Sequence, residues 1–362
     1  MKKIKILITP LNWGLGHATR CIPVIKTLEK LDCKIVIATD GPPLCLLKKE
    51  FPRLKVIELP SYSIKYSKKI PMALAIAIQM PKILINIGKE RIFIKKLQVL
   101  ENFDIVMTDC RFGCYIQGKL NIYITHQVLI RFPEYLKLLE PLGAFFHRMV
   151  WHNFDQLWIL DRDEKQSLSG ELGHSYYNYN NKIQYVGISS RFTCQKTQKK
   201  RIDFCFLLSG PEPQRTLFEK AILLYDWPHH YKYHLIRGLP ESESTLNIKD
   251  NWIVSNHLST NELQRVLCAS KKIICRSGYS TIMDLFSLGL RAILIPTPGQ
   301  PEQEYLARYI SRKYDFPYQS QKKLNYEQLL RIDYSPDMTP FHKMEDENLL
   351  KNAILKVLRM IY

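Results

Sequence analysis

At 362 residues, 46% apolar and 24% charged, the chain can bury two cores of ordinary size, and its composition excludes a disordered or fibrous protein. The net charge of +18 is uneven: 19 Lys and Arg against 6 Asp and Glu lie in the first 100 residues, which therefore carry +13. Such a surface suits anionic lipid, worth about 1 kcal/mol per nearby basic residue, or simple solubility; lacking aromatic stacking platforms and a known binding module, it points to no nucleic-acid partner.

The chain opens on a basic Met1-Lys2-Lys3, but the apolar run that follows is too short for a signal-peptide core and has no small-residue cleavage site. It reads as a first β-strand. From there short β-branched runs at 3–9, 33–39, 54–59, 103–108, 122–125 and 156–160 alternate with amphipathic stretches, the rhythm of βα units around a parallel sheet. One or two helices broken near Pro81 are expected over 70–100, and another over 135–151, where aromatic and Leu residues mix with Lys137, His147 and Arg148 as in a helix that either lies in a membrane interface or packs on the sheet. The longest apolar stretch, 72–87, contains Pro81 and Lys82 and falls short of a membrane span.

The polar, basic segment 188–202 reads as a linker, after which the rhythm restarts with strands at 203–209, 233–238, 251–256, 271–275 and 292–296. Two Rossmann-like α/β domains are expected: 1–187, then 203–345, with a C-terminal helical segment 346–362 that can pack back on the first. The nine cysteines form no CxxC pair, and Cys110 and Cys114 have no matching partners for a tetrahedral metal site. They are expected to be reduced thiols of a cytoplasmic protein.

Three strand ends carry the chemistry. After the first strand, Asn12-Trp13-Gly14-Leu15-Gly16-His17 places glycines where a backbone meets a ligand, with His17 at a helix start that favours its neutral form. The dinucleotide fingerprint lacks its third glycine, which disfavours a nicotinamide enzyme. The fourth strand ends in Asp109, positioned to orient His17 as a base, and the fifth runs into His126-Gln127 at the same edge. In the second half, Arg276-Ser277-Gly278-Tyr279-Ser280-Thr281 opens a helix with donors for a diphosphate, and Asp284 lies about one turn in, placed to accept from ribose hydroxyls. Pro296 leads to Gln300, Gln303 and Glu304, groups suited to sugar hydroxyls. Asp161-Arg162-Asp163 has the form of a metal-binding DxD triplet but lies outside this nucleotide-like segment. No metal or other cofactor is expected.

The run from Arg276 to Gly278, Asp284, Pro296 and Gln303, together with Gly14, Gly16, His17 and the His126-Gln127 pair, resembles the GT-B glycosyltransferases related to the bacterial transferase that adds N-acetylglucosamine to lipid-linked muramyl-pentapeptide. The resemblance implies the GT-B fold, two domains with parallel sheets facing a central cleft. It also implies an inverting, metal-free transfer from a UDP-sugar bound mainly by the second domain. His17 and Asp109 would be catalytic, and Asn12, His126 and Gln127 would lie on the side of a hydroxyl acceptor, lipid-linked in the family. The donor would meet Ser209, Gly210, Arg276, Ser277, Gly278, Ser280, Thr281, Asp284, Gln300, Gln303 and Glu304. The chain departs from the family with Ser209-Gly210-Pro211-Glu212-Pro213 for a glycine-rich loop, Asp284 for a Glu, and Glu304 for the second of two glutamines. The resulting expectation is a cytoplasmic hexosyltransferase peripheral to the inner membrane face; a UDP-sugar 2-epimerase or hydrolase, or a non-catalytic nucleotide-sugar binder, is the alternative.

Overall fold

The computed structural model describes residues 3–62, 72–132, 138, 140–163, 165–174, 182–192, 199–244, 246, 248–339 and 343–361. Parts of the expected helices (70–71, and 135–137 with 139), of the linker (193–198) and the final residue lie outside these. The chain divides into two units, one running to Ser189 and taking back Lys343–Tyr362, the other spanning Ser190–His342.

The first unit is built on seven parallel strands, β1 (Lys5–Pro10), β2 (Lys34–Thr39), β3 (Lys55–Glu58), β4 (Ile105–Asp109), β5 (Leu120–Thr125), β6 (Gln156–Ile159) and β7 (Ile183–Tyr185). Their order is β3-β2-β1-β4-β5-β6-β7. The central strands are covered on both faces, so Ile6, Leu7, Ile8, Ile105, Val106 and Met107 are all inaccessible, which is why they read as unbroken apolar runs. Helices α1 (Gly16–Lys30), α2 (Gly41–Glu50), α3 (Met72–Glu101) and α4 (Glu140–Trp151) supply the cover.

The expected break near Pro81 does not occur: α3 is one helix of 30 residues. Proline removes one hydrogen bond and bends a helix, but the twenty residues beyond it bury a continuous stripe of Ile83, Asn86, Glu90, Ile94 and Leu97 at helical spacing, enough to hold the element together.

The second unit has five parallel strands, β8 (Ile202–Leu207), β9 (Tyr233–Ile236), β10 (Trp252–Ser255), β11 (Ser270–Cys275) and β12 (Ile293–Leu294), in the order β10-β9-β8-β11-β12. Helices α5 (Gln214–Leu224), α6 (Thr260–Cys268), α7 (Tyr279–Leu288), α8 (Pro301–Tyr314) and α9 (Tyr326–Arg331) surround an aromatic core of Phe204, Phe206, Phe218, Trp227 and Tyr233. A capping box between Ser259 and Glu262 starts α6. Helix α10 (Lys343–Arg359) belongs to the first unit. There Asp346 accepts from Arg162 Nε at 2.8 Å and Nη2 at 2.6 Å and from the Ile188 amide at 3.0 Å.

Each sheet reverses its strand order once beside its first strand, at β1/β4 and at β8/β11. Ligands of open parallel sheets bind outside the carboxyl ends of strands at such switch points. The loops after β1, β4, β8 and β11, which bear His17, Asp109, Ser209-Gly210 and Ser277–Asp284, lie at these switch points, while His126-Gln127 and Gln300–Glu304 follow the next strands out, β5 and β12.

Candidate active site

In the first unit the loop after β1 climbs through Gly14, whose φ of +83° is a left-handed conformation that glycine adopts without strain. It delivers Gly16 and His17 to the start of α1, beside the end of β4, where the Leu11 amide donates to Asp109 O at 3.0 Å. His17 Nδ1 lies 2.7 Å from Asp109 Oδ1. Asn12 Nδ2 donates to Asp40 at 2.8 Å, at the neighbouring end of β2.

A residue not singled out from the sequence sits at the centre. Arg20, three residues after His17 and so on the same helical face, is 2% exposed and grips both oxygens of the fully buried Asp109. Its Nη1 is 2.6 Å from His126 Nδ1, its Nη2 2.8 Å from His17 Nδ1 and 3.5 Å from Cys110 Sγ. The only signal in the sequence was a charge at i+3 from His17 among the small and apolar residues that open α1.

Electrostatics follow from that geometry. Burial, then the Arg20 charge, pull the His17 pKa below its ordinary 6.5 against the opposing pull of Asp109. Burial alone would raise the Asp109 carboxyl, but Arg20 and His17 hold it well below the carboxylate range. The cluster is thus an anion, a cation and a neutral imidazole. His17, Asp109 and Cys110 each bring a ligand atom within 4.8 Å of the others, as a metal site would. Yet the Arg20 guanidinium already stands among those atoms as the cation, and burial pushes the Cys110 thiol up to about 12, so it carries no thiolate for a metal.

Gln127 turns its side chain to Leu129 O at 3.0 Å, next to the Thr125 hydroxyl that receives its amide. The DxD triplet is a structural knot: Asp161 is inaccessible and accepts from the Ser167 hydroxyl at 2.7 Å and from the Leu168 and Ser169 amides at 2.9 Å, while Arg162 turns to α10. An open polar depression of about 530 Å³ lined by Tyr115, Lys119, His152 and Asp155 lies at the amino edge of this sheet, away from the switch point.

In the second unit, the loop after β8 carries Ser209 and Gly210, the latter at a φ of +102° with nothing within 4 Å of where a Cβ would stand. Beside it, β11 ends and α7 begins at Gly278, which as N-cap offers no side-chain acceptor to the first-turn amides. Ser280, Thr281 and Asp284 form the partly exposed face of α7, while Tyr279, Ile282 and Met283 fill the core. Asp284 Oδ1 accepts from the Ser190 hydroxyl at 2.7 Å, Oδ2 is 3.8 Å from Arg191 Nε, and burial raises its pKa to about 6.

Two side chains expected to face a donor point into the fold instead. Arg276 is inaccessible, donates to the carbonyls of Ile295 and Pro296 at 3.2 Å and of Gln214 at 3.1 Å, and lies 4.2 Å over the Phe218 ring. Burial lowers it to about 9. The Ser277 hydroxyl donates to Gln303 O at 2.8 Å. Both brace the turn, leaving main chain to meet an anion. Gln303 likewise uses its amide oxygen to accept from Thr297 N at 2.9 Å, and Glu304 accepts from Gly299 N at 3.0 Å, so the pair shapes the loop before α8, whose N-cap is Gln300.

Comparisons with known proteins agree with this architecture. The chain superposes on the glycosyltransferase SnogD from Streptomyces nogalater with a TM-score of 0.63 over 100% of both chains at 12% identity. On CalG4, the calicheamicin glycosyltransferase, the TM-score is 0.60 over 99% of this chain and 95% of that one, also at 12% identity. The chain has the GT-B glycosyltransferase fold. Within it, residues 248–352 match the glycosyltransferase family 28 C-terminal domain. A 72-residue segment is 40% identical to the UDP-N-acetylglucosamine–N-acetylmuramyl-(pentapeptide) pyrophosphoryl-undecaprenol N-acetylglucosamine transferase of Desulforudis audaxviator, covering 19% of this chain and 19% of that protein. The family 28 match contains β11, α7 and α8, hence Asp284, Gln303 and Glu304.

Proposed function

We propose that this GT-B protein is a hexosyltransferase that moves a sugar, N-acetylglucosamine before others, from UDP to an acceptor hydroxyl with inversion and without a metal. The observation that carries the reading is the 2.7 Å pairing of His17 with Asp109 at the switch point of the first unit. An imidazole kept neutral and oriented by a carboxylate is a general base. The family 28 match of the second unit supports a nucleotide-sugar donor.

In this reading the acceptor oxygen attacks the anomeric carbon as its proton passes to His17 Nε2, and the bond to the β-phosphate breaks with its electron pair leaving on UDP. Asp109 stabilises the imidazolium. First-turn amides of α7 at Gly278, with Ser280 and Thr281 and the Ser209-Gly210 turn, take up charge on the leaving diphosphate. Asp284 accepts from the ribose diol, Gln300 and the loop that Gln303 and Glu304 brace frame the sugar, and Asn12, His126 and Gln127 lie toward the acceptor.

A lipid-linked acceptor, and a place on the inner face of a membrane, are supported by apolar side chains exposed on a basic unit: Ile78, Ile85 and Ile92 on α3, and Leu142, Phe145 and Met149 on α4. Among the described residues no helix is long and apolar enough to cross a membrane. Thermal shift against a panel of nucleotide sugars finds the donor, since ligands of the folded state raise its melting point. Release of UDP that depends on an acceptor supports transfer. A new sugar species formed from UDP-N-acetylglucosamine alone would instead establish an epimerase or hydrolase.

A further inference from the structure

We propose that Ser190 is a specificity-determining residue of the nucleotide site: its hydroxyl occupies on Asp284 the place of a ribose hydroxyl, and a nucleotide must displace it to bind. The proposal deepens the nucleotide-sugar reading of the second unit and rests on it.

The Ser190 hydroxyl donates to Asp284 Oδ1 at 2.7 Å and accepts from the Phe192 amide at 3.2 Å. Among the described residues this is the one hydrogen bond that the carboxylate receives, since Arg191 Nε, 3.8 Å from Oδ2, makes an ion pair beyond hydrogen-bond length. A carboxylate has roughly four lone-pair sites. With its side chain 13% exposed, Asp284 is withdrawn from most water without being sealed, and so is short of donors that a ligand can supply.

What Ser190 supplies is what a ribose supplies, a neutral O–H aimed at the same carboxylate. Ser280 and Asp284 stand four residues apart on α7 and share a face, so a diphosphate at the uncapped start of the helix carries its ribose toward Asp284. Ser190 can give way without a shift of the chain. Phe192 is buried and the Ser189 hydroxyl holds to Arg20 O at 3.0 Å, so rotation about the Ser190 Cα–Cβ bond suffices. Exchanging one hydroxyl for another returns only part of the free energy that the ribose hydroxyl would return at a carboxylate left open. Serine at this position therefore lowers both the affinity for UDP and the preference for ribose over deoxyribose.

Calorimetry at pH 8, where Asp284 is ionised, with UDP, 2′-deoxy-UDP and 3′-deoxy-UDP as probes decides the point. Ser190→Ala should bind UDP about 10-fold tighter than the wild type, while at least one deoxy analogue keeps its wild-type affinity. Ser190→Thr, which keeps the hydroxyl, should bind all three as the wild type does. Unchanged or weaker UDP binding by Ser190→Ala overturns the proposal, and so does an equal gain for all three nucleotides, which would make Ser190 an obstacle by size alone. A carboxyl 13C titration reads the contact without nucleotide: loss of the Ser190 donor should raise the Asp284 midpoint above about 6, and an unmoved midpoint overturns the proposal as well. If the midpoint moves and UDP binds none of the three proteins, the nucleotide reading fails and takes the proposal with it. If UDP binds all three alike, the reading stands and the proposal falls.

Discussion

The Ser190 hydroxyl donates to Asp284 at 2.7 Å, so the carboxylate that we propose for ribose is held by the chain's own residue, with Arg191 3.8 Å from its other oxygen. Burial nonetheless raises this carboxyl from 3.8 to about 6, so desolvation outweighs both partners. The sign is that of a raised acid: the folded state binds the extra proton between about 4 and 6, and above that range ionised Asp284 costs stability. Asp284→Asn should therefore melt higher than the wild type at pH 7.5 while binding UDP more weakly. In the wild type, UDP affinity measured by calorimetry should weaken as pH falls through 6; a pH-independent affinity would take Asp284 out of the nucleotide site.

His17 titrates below 6.5 because burial and Arg20 disfavour its charged form. A base works when neutral, so the pH profile of kcat/KM should fall only on its acid limb, with a midpoint under 6.5, and stay level through pH 8. Replacing His17 with Ala should cost about 10²- to 10⁴-fold in turnover and leave UDP affinity nearly intact. Unchanged turnover would remove His17 from the mechanism, and an acid limb centred above 7 would contradict the Arg20 contact.

Much of this was legible beforehand because parallel strands covered on both faces appear as continuous β-branched runs; Ile6 to Ile8 and Ile105 to Met107 are examples. Strand β7 escaped, since Ile183-Gln184-Tyr185 is three half-buried residues with a polar centre. That His17 and Asp109 meet follows from their place at the carboxyl ends of neighbouring strands, which needs only strand positions. Arg20 was not legible, because its meaning lies in a contact 89 residues away in sequence. The same holds for Arg111, buried between Asp40 and Glu90 from two other elements. Arg276 misled in the opposite direction: its charge suggested an anion, but it directly follows β11 and its side chain turns inward onto Phe218, where carbonyls rather than phosphates await it. Residue type announces a charge, and only the fold says which way it faces.

The bidentate pair of Arg162 with Asp346 fastens α10 to the first unit, and Asp346 also receives the Ile188 amide. Both side chains are only 6% exposed. Removing one partner leaves a buried charge, so Asp346→Ala should lose about 3–5 kcal/mol in urea denaturation. Replacing both with apolar residues of similar size, Arg162→Met with Asp346→Leu, should recover a good part of the loss. A single variant as stable as the wild type would show that α10 is held by its apolar face alone.

His147 on α4 is buried, stacks on Trp151 at 4.6 Å and donates from Nδ1 to Val128 O at 3.0 Å, and burial lowers it to about 4. The helix thus turns this histidine inward and presents Leu142, Phe145 and Met149 to solvent. If that outer face meets anionic lipid, flotation with anionic vesicles should recover the protein at about 0.1 M salt and lose it near 1 M, as the Debye length shrinks from about 10 to about 3 Å. Phe145→Ser should weaken flotation without lowering the melting point, because an exposed side chain contributes little to folding. Binding to neutral and anionic vesicles alike would leave the basic charge without a part in it, and no flotation at low salt would separate the protein from the membrane.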